Sequence, residues 1–201
     1  MMKTIELLQK ILTKRLGDYK PDCYLLSKDE EDNLILHTIN FSHTIIMRMK
    51  CSLTDIPEEY FGELMIPSGN PVINFYDKSC NIYEGELDGF DEDMNSNEDY
   101  KYLPYNILGA YLQCGETIGF EVNGHQGVYS AELIDSVFFL DGVDNVAVKL
   151  LTSCSQLFLR YVGEDIEVCA VIAPRIVNFE TAYSIIRVDK CIEEGWCINE
   201  E

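Results

Sequence analysis

Between residues 145 and 174 three apolar runs follow one another with little between them: NVAVKLLT (145–152), QLFLRYV (156–162) and IEVCAVIAP (166–174). Runs of this length, rich in Val, Ile, Leu and Phe and separated by short turns, read as three antiparallel strands. A meander of this kind must bury at least one face, so it dictates a sheet with something packed on it. It closes on a corner, Ala173-Pro174-Arg175-Ile176. Pro removes a ladder donor and Arg is rarely buried, so the corner must be a sheet edge or a surface.

The residues before the meander complete a unit. TIGFEVN (117–123) reads as a strand, HQG as a turn and VYS as a short strand leading into AELIDSVFFLDG. In that helix Leu133, Ile134, Val137 and Phe138 share one face while Glu132, Asp135 and Ser136 lie opposite, and Gly142 is a stop signal. The N-terminal third has the same order of elements. KTIELLQKILTKRL (3–16) carries Ile5, Leu8, Leu12 and Leu16 at helical spacing, with Gly17 to end it. CYLLS (23–27), NLILHTI (33–39) and HTIIMRMK (43–50) follow as strands, with GELMIP (62–67) a candidate for a fourth.

The class is therefore α+β, with a helix and antiparallel strands occurring twice. The expected organisation is a single domain with a first unit at 1–66, an insertion at 67–116, a second unit at 117–176 and a C-terminal extension at 177–201. In the insertion VINFY (72–76) and CNIYEGEL (80–87) are strand candidates, and DGFDEDMNSNEDY (88–100) is an acidic surface loop. That loop does not spell a calcium site. With Asp91, Asp93 and Asn95 in the first ligand positions, Ser96 stands where Gly is required and Tyr102 where Glu is required.

Charge narrows the function. The 201 residues carry a net charge of −20, which opposes non-specific nucleic-acid binding unless the basic residues gather on one face. One such gathering exists: on a helical wheel Lys3, Lys10 and Lys14 fall within about 40° of one another. The eight cysteines are scattered with no C-x-x-C pair, so they read mostly as small core residues in a reducing, cytoplasmic compartment. No secretory signal and no apolar run of membrane-spanning length is seen. There is no nucleophile elbow, no phosphate-binding glycine loop and no H-E-x-x-H, and His37, His43 and His125 form no recognisable constellation. The expectation is a protein that is not an enzyme and needs no cofactor or metal.

The stretch 116–176 resembles the last part of a DNA sliding clamp, the ring-shaped processivity factor of polymerases. The likeness is carried by an apolar pair in the helix (Leu133, Ile134), an alternating strand (Val146, Val148, Leu150), the strand Gln156-Leu157-Phe158-Leu159-Arg160-Tyr161, and the closing Ala173-Pro174-Arg175-Ile176. Over residues 3–66 it extends only to the order of elements. The resemblance implies a clamp-like fold of duplicated β-α-β-β-β units, with antiparallel sheets and two helices on one face. It implies that Ala173, Pro174, Arg175 and Ile176 border a pocket for short peptides of client proteins. It also implies double-stranded DNA at Lys3, Lys10 and Lys14 and self-association into a ring. Two features pull away from that picture. Glu132 and Asp135 stand on the second helix, where carboxylates repel phosphate, and one chain of this length would need several copies to close a ring. The competing expectation is an acidic interaction module, of inhibitor, immunity or DNA-mimic type, that encircles no DNA.

Overall fold

The computed structural model describes residues 23–28, 31, 33–39, 45–51, 93–94, 96, 98–138, 140, 142–163, 166–178 and 182–194. The basic helical segment 3–16, the strand candidates at 62–67, 72–76 and 80–87, and His43 lie outside them.

Ten strands and three helices are described. In chain order they are β1 (Cys23–Lys28), β2 (Leu34–Ile39), β3 (Ile45–Cys51), β4 (Lys101–Pro104), α1 (Tyr105–Leu112), β5 (Thr117–Val122), β6 (His125–Ser130), α2 (Ala131–Val137), β7 (Asn145–Leu150), β8 (Leu157–Val162), β9 (Ile166–Ile172), β10 (Ser184–Arg187) and α3 (Val188–Glu193). The fold class is α+β. A seven-stranded sheet runs in the order β1-β2-β3-β9-β8-β7-β4, all of it antiparallel. The meander β7-β8-β9 is present as read, and β3 pairs with β9 from Ile45↔Ile172 to Cys51↔Ile166. The N-terminal strands therefore continue the meander's sheet. β9 lies between β3 and β8, so the corner does not end an edge strand: it leaves the middle of a sheet.

The period of two along the strands separates the faces. Met47, Met49, Val168, Ala170, Ile172, Leu157, Leu159 and Tyr161 turn to the main core. There they meet α2 through Leu133, Ile134 and Val137, and the smaller sheet through Phe120 and Val122. That sheet has the order β10-β5-β6, with β5–β6 antiparallel and β10–β5 parallel.

Several expectations change in detail. The turn between β5 and β6 is Asn123-Gly124, both at positive φ (51° and 77°). His125-Gln126-Gly127 belongs to β6 and is not a turn. A two-residue Asn-Gly loop matches the right-handed twist of the flanking strands, and that preference sets the register. The second helix is shorter than 131–142. It begins at an N-cap Ser130, whose hydroxyl accepts from the Leu133 amide at 3.4 Å, and it ends at Val137, with Phe138 extended. Phe138 leaves the helix to fill the core between the rings of Tyr105 (5.0 Å) and Tyr161 (4.9 Å).

Residues 101–112, read as part of an insertion, supply β4, which pairs with β7, and α1, which packs against α2. Residues 182–194 of the extension supply β10 and α3, anchored by buried Ile186 and Val188. No described helix is long and apolar enough to cross a membrane.

Candidate functional site

After Ile172 the chain leaves the large sheet. The Arg175 amide donates to the Val128 carbonyl at 2.7 Å, laying the corner along the outer edge of β6. The Arg175 guanidinium donates to the Thr117 hydroxyl at 2.9 Å and reaches the Glu116 carbonyl at 3.5 Å. The same carbonyl accepts the Ala131 amide at 3.0 Å. Three segments thus meet at one point: the corner, the start of β5 and the start of α2.

At this junction lies an open groove of about 1120 Å3 between α1, α2 and the corner. Its apolar lining comes from Tyr105 and Leu112 of α1, Ala131 and Leu133 of α2, and Ala173 and Pro174. The polar lining holds Gln113, Ser130 and three carboxylates: Glu116, and Glu132 with Asp135 from one face of α2. Arg175 also lines the groove and stands at its rim. Burial, and then the negative charge of Asp135, hold the Tyr105 phenol above its ordinary value, so the carboxylate on α2 is felt across the groove on α1. On α1, Gly109 faces the groove with room to spare: a Cβ there would meet nothing within 4 Å.

The structure thus brings Ala173, Pro174 and Arg175 together on one groove. Ile176 is fully exposed (100%) and is not part of the lining. Lys3, Lys10 and Lys14 fall outside the described residues. Neither α1 nor α2 carries a Lys or Arg. Sequence reasoning missed the α1 wall altogether. YNILGAYL has no charged residue and no side-chain cap at its start, so the usual helix-start signals are absent.

A second polar cluster sits on the opposite face of the large sheet. His37, Arg48, Cys169 and Arg160 are in register across β2, β3, β9 and β8. Glu167 accepts from Arg160 at 3.0 Å and lies 3.7 Å from Arg48. Beside this row Lys149, only 2% exposed, donates to the carbonyls of Asp93 (2.5 Å) and Ser96 (3.4 Å). Its ammonium also lies over the rings of Tyr100 (4.7 Å) and Phe158 (5.4 Å). A buried ammonium needs such partners, and here they fasten the described part of the acidic loop to the sheet. The cluster is a structural clasp.

Among the described residues no group of three or more His, Cys, Asp or Glu is placed to hold a metal ion. Among the cysteines whose side chains are described, Cys169 is buried, but Cys114 and Cys154 are exposed and Cys191 is intermediate, so the reading of cysteines as core residues holds only in part there.

The chain matches no protein-family model and no curated protein. Among solved structures it is similar to A. fulgidus PCNA bound to the C-terminal region of FEN-1, at 11% identity and a TM-score of 0.46, over 86% of this chain and 96% of that one. It is also similar to PCNA from Thermococcus kodakaraensis, at 11% identity and a TM-score of 0.42, over 85% and 96%. The proliferating cellular nuclear antigen of Entamoeba histolytica gives 12% identity and a TM-score of 0.43, over 85% and 95%. Likenesses of this size leave the functional reading to rest on the groove and its residues.

Proposed function

We propose that this protein is a clamp-like scaffold that recruits client proteins by capturing short peptides at the corner formed by Ala173, Pro174, Arg175 and Ile176. The observation that carries the reading is the groove itself. It is open, it is floored by apolar side chains from two helices, and it is bounded by the corner that the sequence marks as a surface. A concave apolar lining with a few fixed polar groups suits a peptide anchored by one or two large side chains. Ile176, exposed beyond the rim, is available to the flank of such a peptide.

Peptides carrying a polymerase-type clamp-binding motif provide the test, titrated against the native protein and two variants. Pro174→Asp puts a charge on the apolar rim. Gly109→Leu fills the groove from α1, where a new Cβ meets no atom. Both variants are expected to weaken binding by about tenfold or more. Equal affinity for all three proteins, or none for any, would remove the proposal.

Service to a polymerase as a processivity factor is the finer form of this reading, with duplex DNA held by Lys3, Lys10 and Lys14 in an assembly of several copies. The uncharged α1 and the carboxylates of α2 favour the second reading, an acidic interaction module that does not encircle DNA. Duplex binding at low salt, abolished by charge reversal at the three lysines, selects the first. Its absence, together with a monomer on gel filtration, selects the second.

A further inference from the structure

We infer that the occupant of the groove is a cationic peptide segment, with Lys or Arg flanking an apolar anchor. The inference rests on the peptide-capture reading and adds the chemistry of the partner. It follows from the distribution of charge around the groove. Glu116, Glu132 and Asp135 line it, and among the described residues the only cationic side chain in the lining is Arg175. Arg175 is held toward the start of β5 by the Thr117 hydroxyl and the Glu116 carbonyl.

An incoming acidic or phosphorylated segment would meet three carboxylates and a guanidinium already engaged. A cationic segment would meet complementary charge beside an apolar floor built from Tyr105, Leu112 and Leu133. Such complementarity sets partner choice and speeds encounter. Alternative occupants fit less well. A second copy of this chain would bring a further net charge of −20. Duplex DNA would set phosphates against carboxylates.

Three synthetic peptides sharing one Leu-Phe anchor, flanked by lysines, by serines or by glutamates, are titrated at low and at high salt. The lysine-flanked peptide is expected to bind about tenfold more tightly than the serine-flanked one at low salt, with the advantage shrinking as salt rises. Neutralising the lining with Glu116→Gln, Glu132→Gln and Asp135→Asn together should erase that advantage while leaving the serine-flanked peptide unchanged. Glu194→Gln at the C-cap of α3, outside the groove, should not. A lysine preference that survives the triple variant, or is lost equally in Glu194→Gln, overturns the inference. Equal binding of all three peptides, sensitive to Gly109→Leu, overturns it but keeps the peptide-capture reading. No binding of any peptide removes both. Because uncharged substitutions at exposed sites disturb the fold little, an unchanged thermal transition in the triple variant ties a lost advantage to charge.

Discussion

Tyr161 does two jobs at one position: its ring closes the core beside Phe138, and its hydroxyl donates to the Val137 carbonyl at 2.6 Å. That carbonyl is one of the unsatisfied acceptors at the end of α2. Tyr161→Phe should therefore cost about 1–2 kcal/mol in chemical denaturation; an unchanged midpoint would mean that water replaces the bond. Lys149→Met keeps the apolar stem but removes the ammonium from the Asp93 and Ser96 carbonyls. It is expected to raise amide exchange over residues 93–100 well above that in β7, whereas uniform exchange would deny Lys149 its role as a clasp. Three buried groups also fix the response to alkali. Burial, and then Glu167, push the Cys169 thiol up from 9.0 to about 12. Burial likewise raises the phenols of Tyr100 and Tyr129 above 10.0. The unfolded chain gives up these protons first, so their contribution is fully present below about pH 9 and is lost as pH climbs toward 12. Lys149 acts in the opposite sense, because burial lowers it and its charged form is disfavoured in the fold up to 10.5. With these three groups and the raised Tyr105 phenol against Lys149, the denaturation midpoint should fall above pH 9. A rise between pH 9 and pH 12 would contradict these assignments.

Each helix that lines the groove owes its place to a different kind of signal. α2 was readable because Leu133, Ile134 and Val137 repeat at helical spacing, whereas its Ser130 cap emerges only in the structure. Its end was not, since Phe138 obeys the core packing of Tyr105 and Tyr161 instead of the helix period. α1 gave no such cue: it follows Pro104 without a side-chain cap, and a weak helix former, Gly109, stands in its middle. Gly109 is also where the element can be tested. With no atom within 4 Å of a new Cβ, Gly109→Ala should stabilise the protein by about 0.5–1 kcal/mol through helix propensity. A thermal transition that moves down would show that α1 is not helical there. The strands were legible as far as period two and turn chemistry carry. The meander β7-β8-β9 followed from the residues alone. The joining of β3 to β9 could not, because long-range pairing leaves no local mark. The corner was identified as a surface from Pro174 and Arg175, but its position beside a groove depended on α1, β5 and α2 converging on Glu116.

At the scale of the whole molecule the net charge of −20 weighs against wrapping DNA unless the basic residues segregate. Charge reversal at Lys3, Lys10 and Lys14 together is the deciding variant: a duplex-binding signal at low salt that disappears with it supports a DNA-facing surface, and a signal that persists assigns DNA contact elsewhere. The two groove helices offer no help to phosphate, since α1 is uncharged and the charged residues of α2 are acidic. What the molecule offers instead is one continuous antiparallel sheet that ends, at its middle strand, on an apolar groove with an acidic border. The claim that this groove receives a client peptide is tested most directly by mapping backbone amide shifts as a polymerase-type clamp-binding peptide is added. The largest shifts are expected on residues 105–116, 130–135 and 173–176, with those of β1 and β2 unmoved. Shifts concentrated on the opposite face of the sheet, around Arg48, Lys149 and Glu167, or no shifts at saturating peptide, would contradict it.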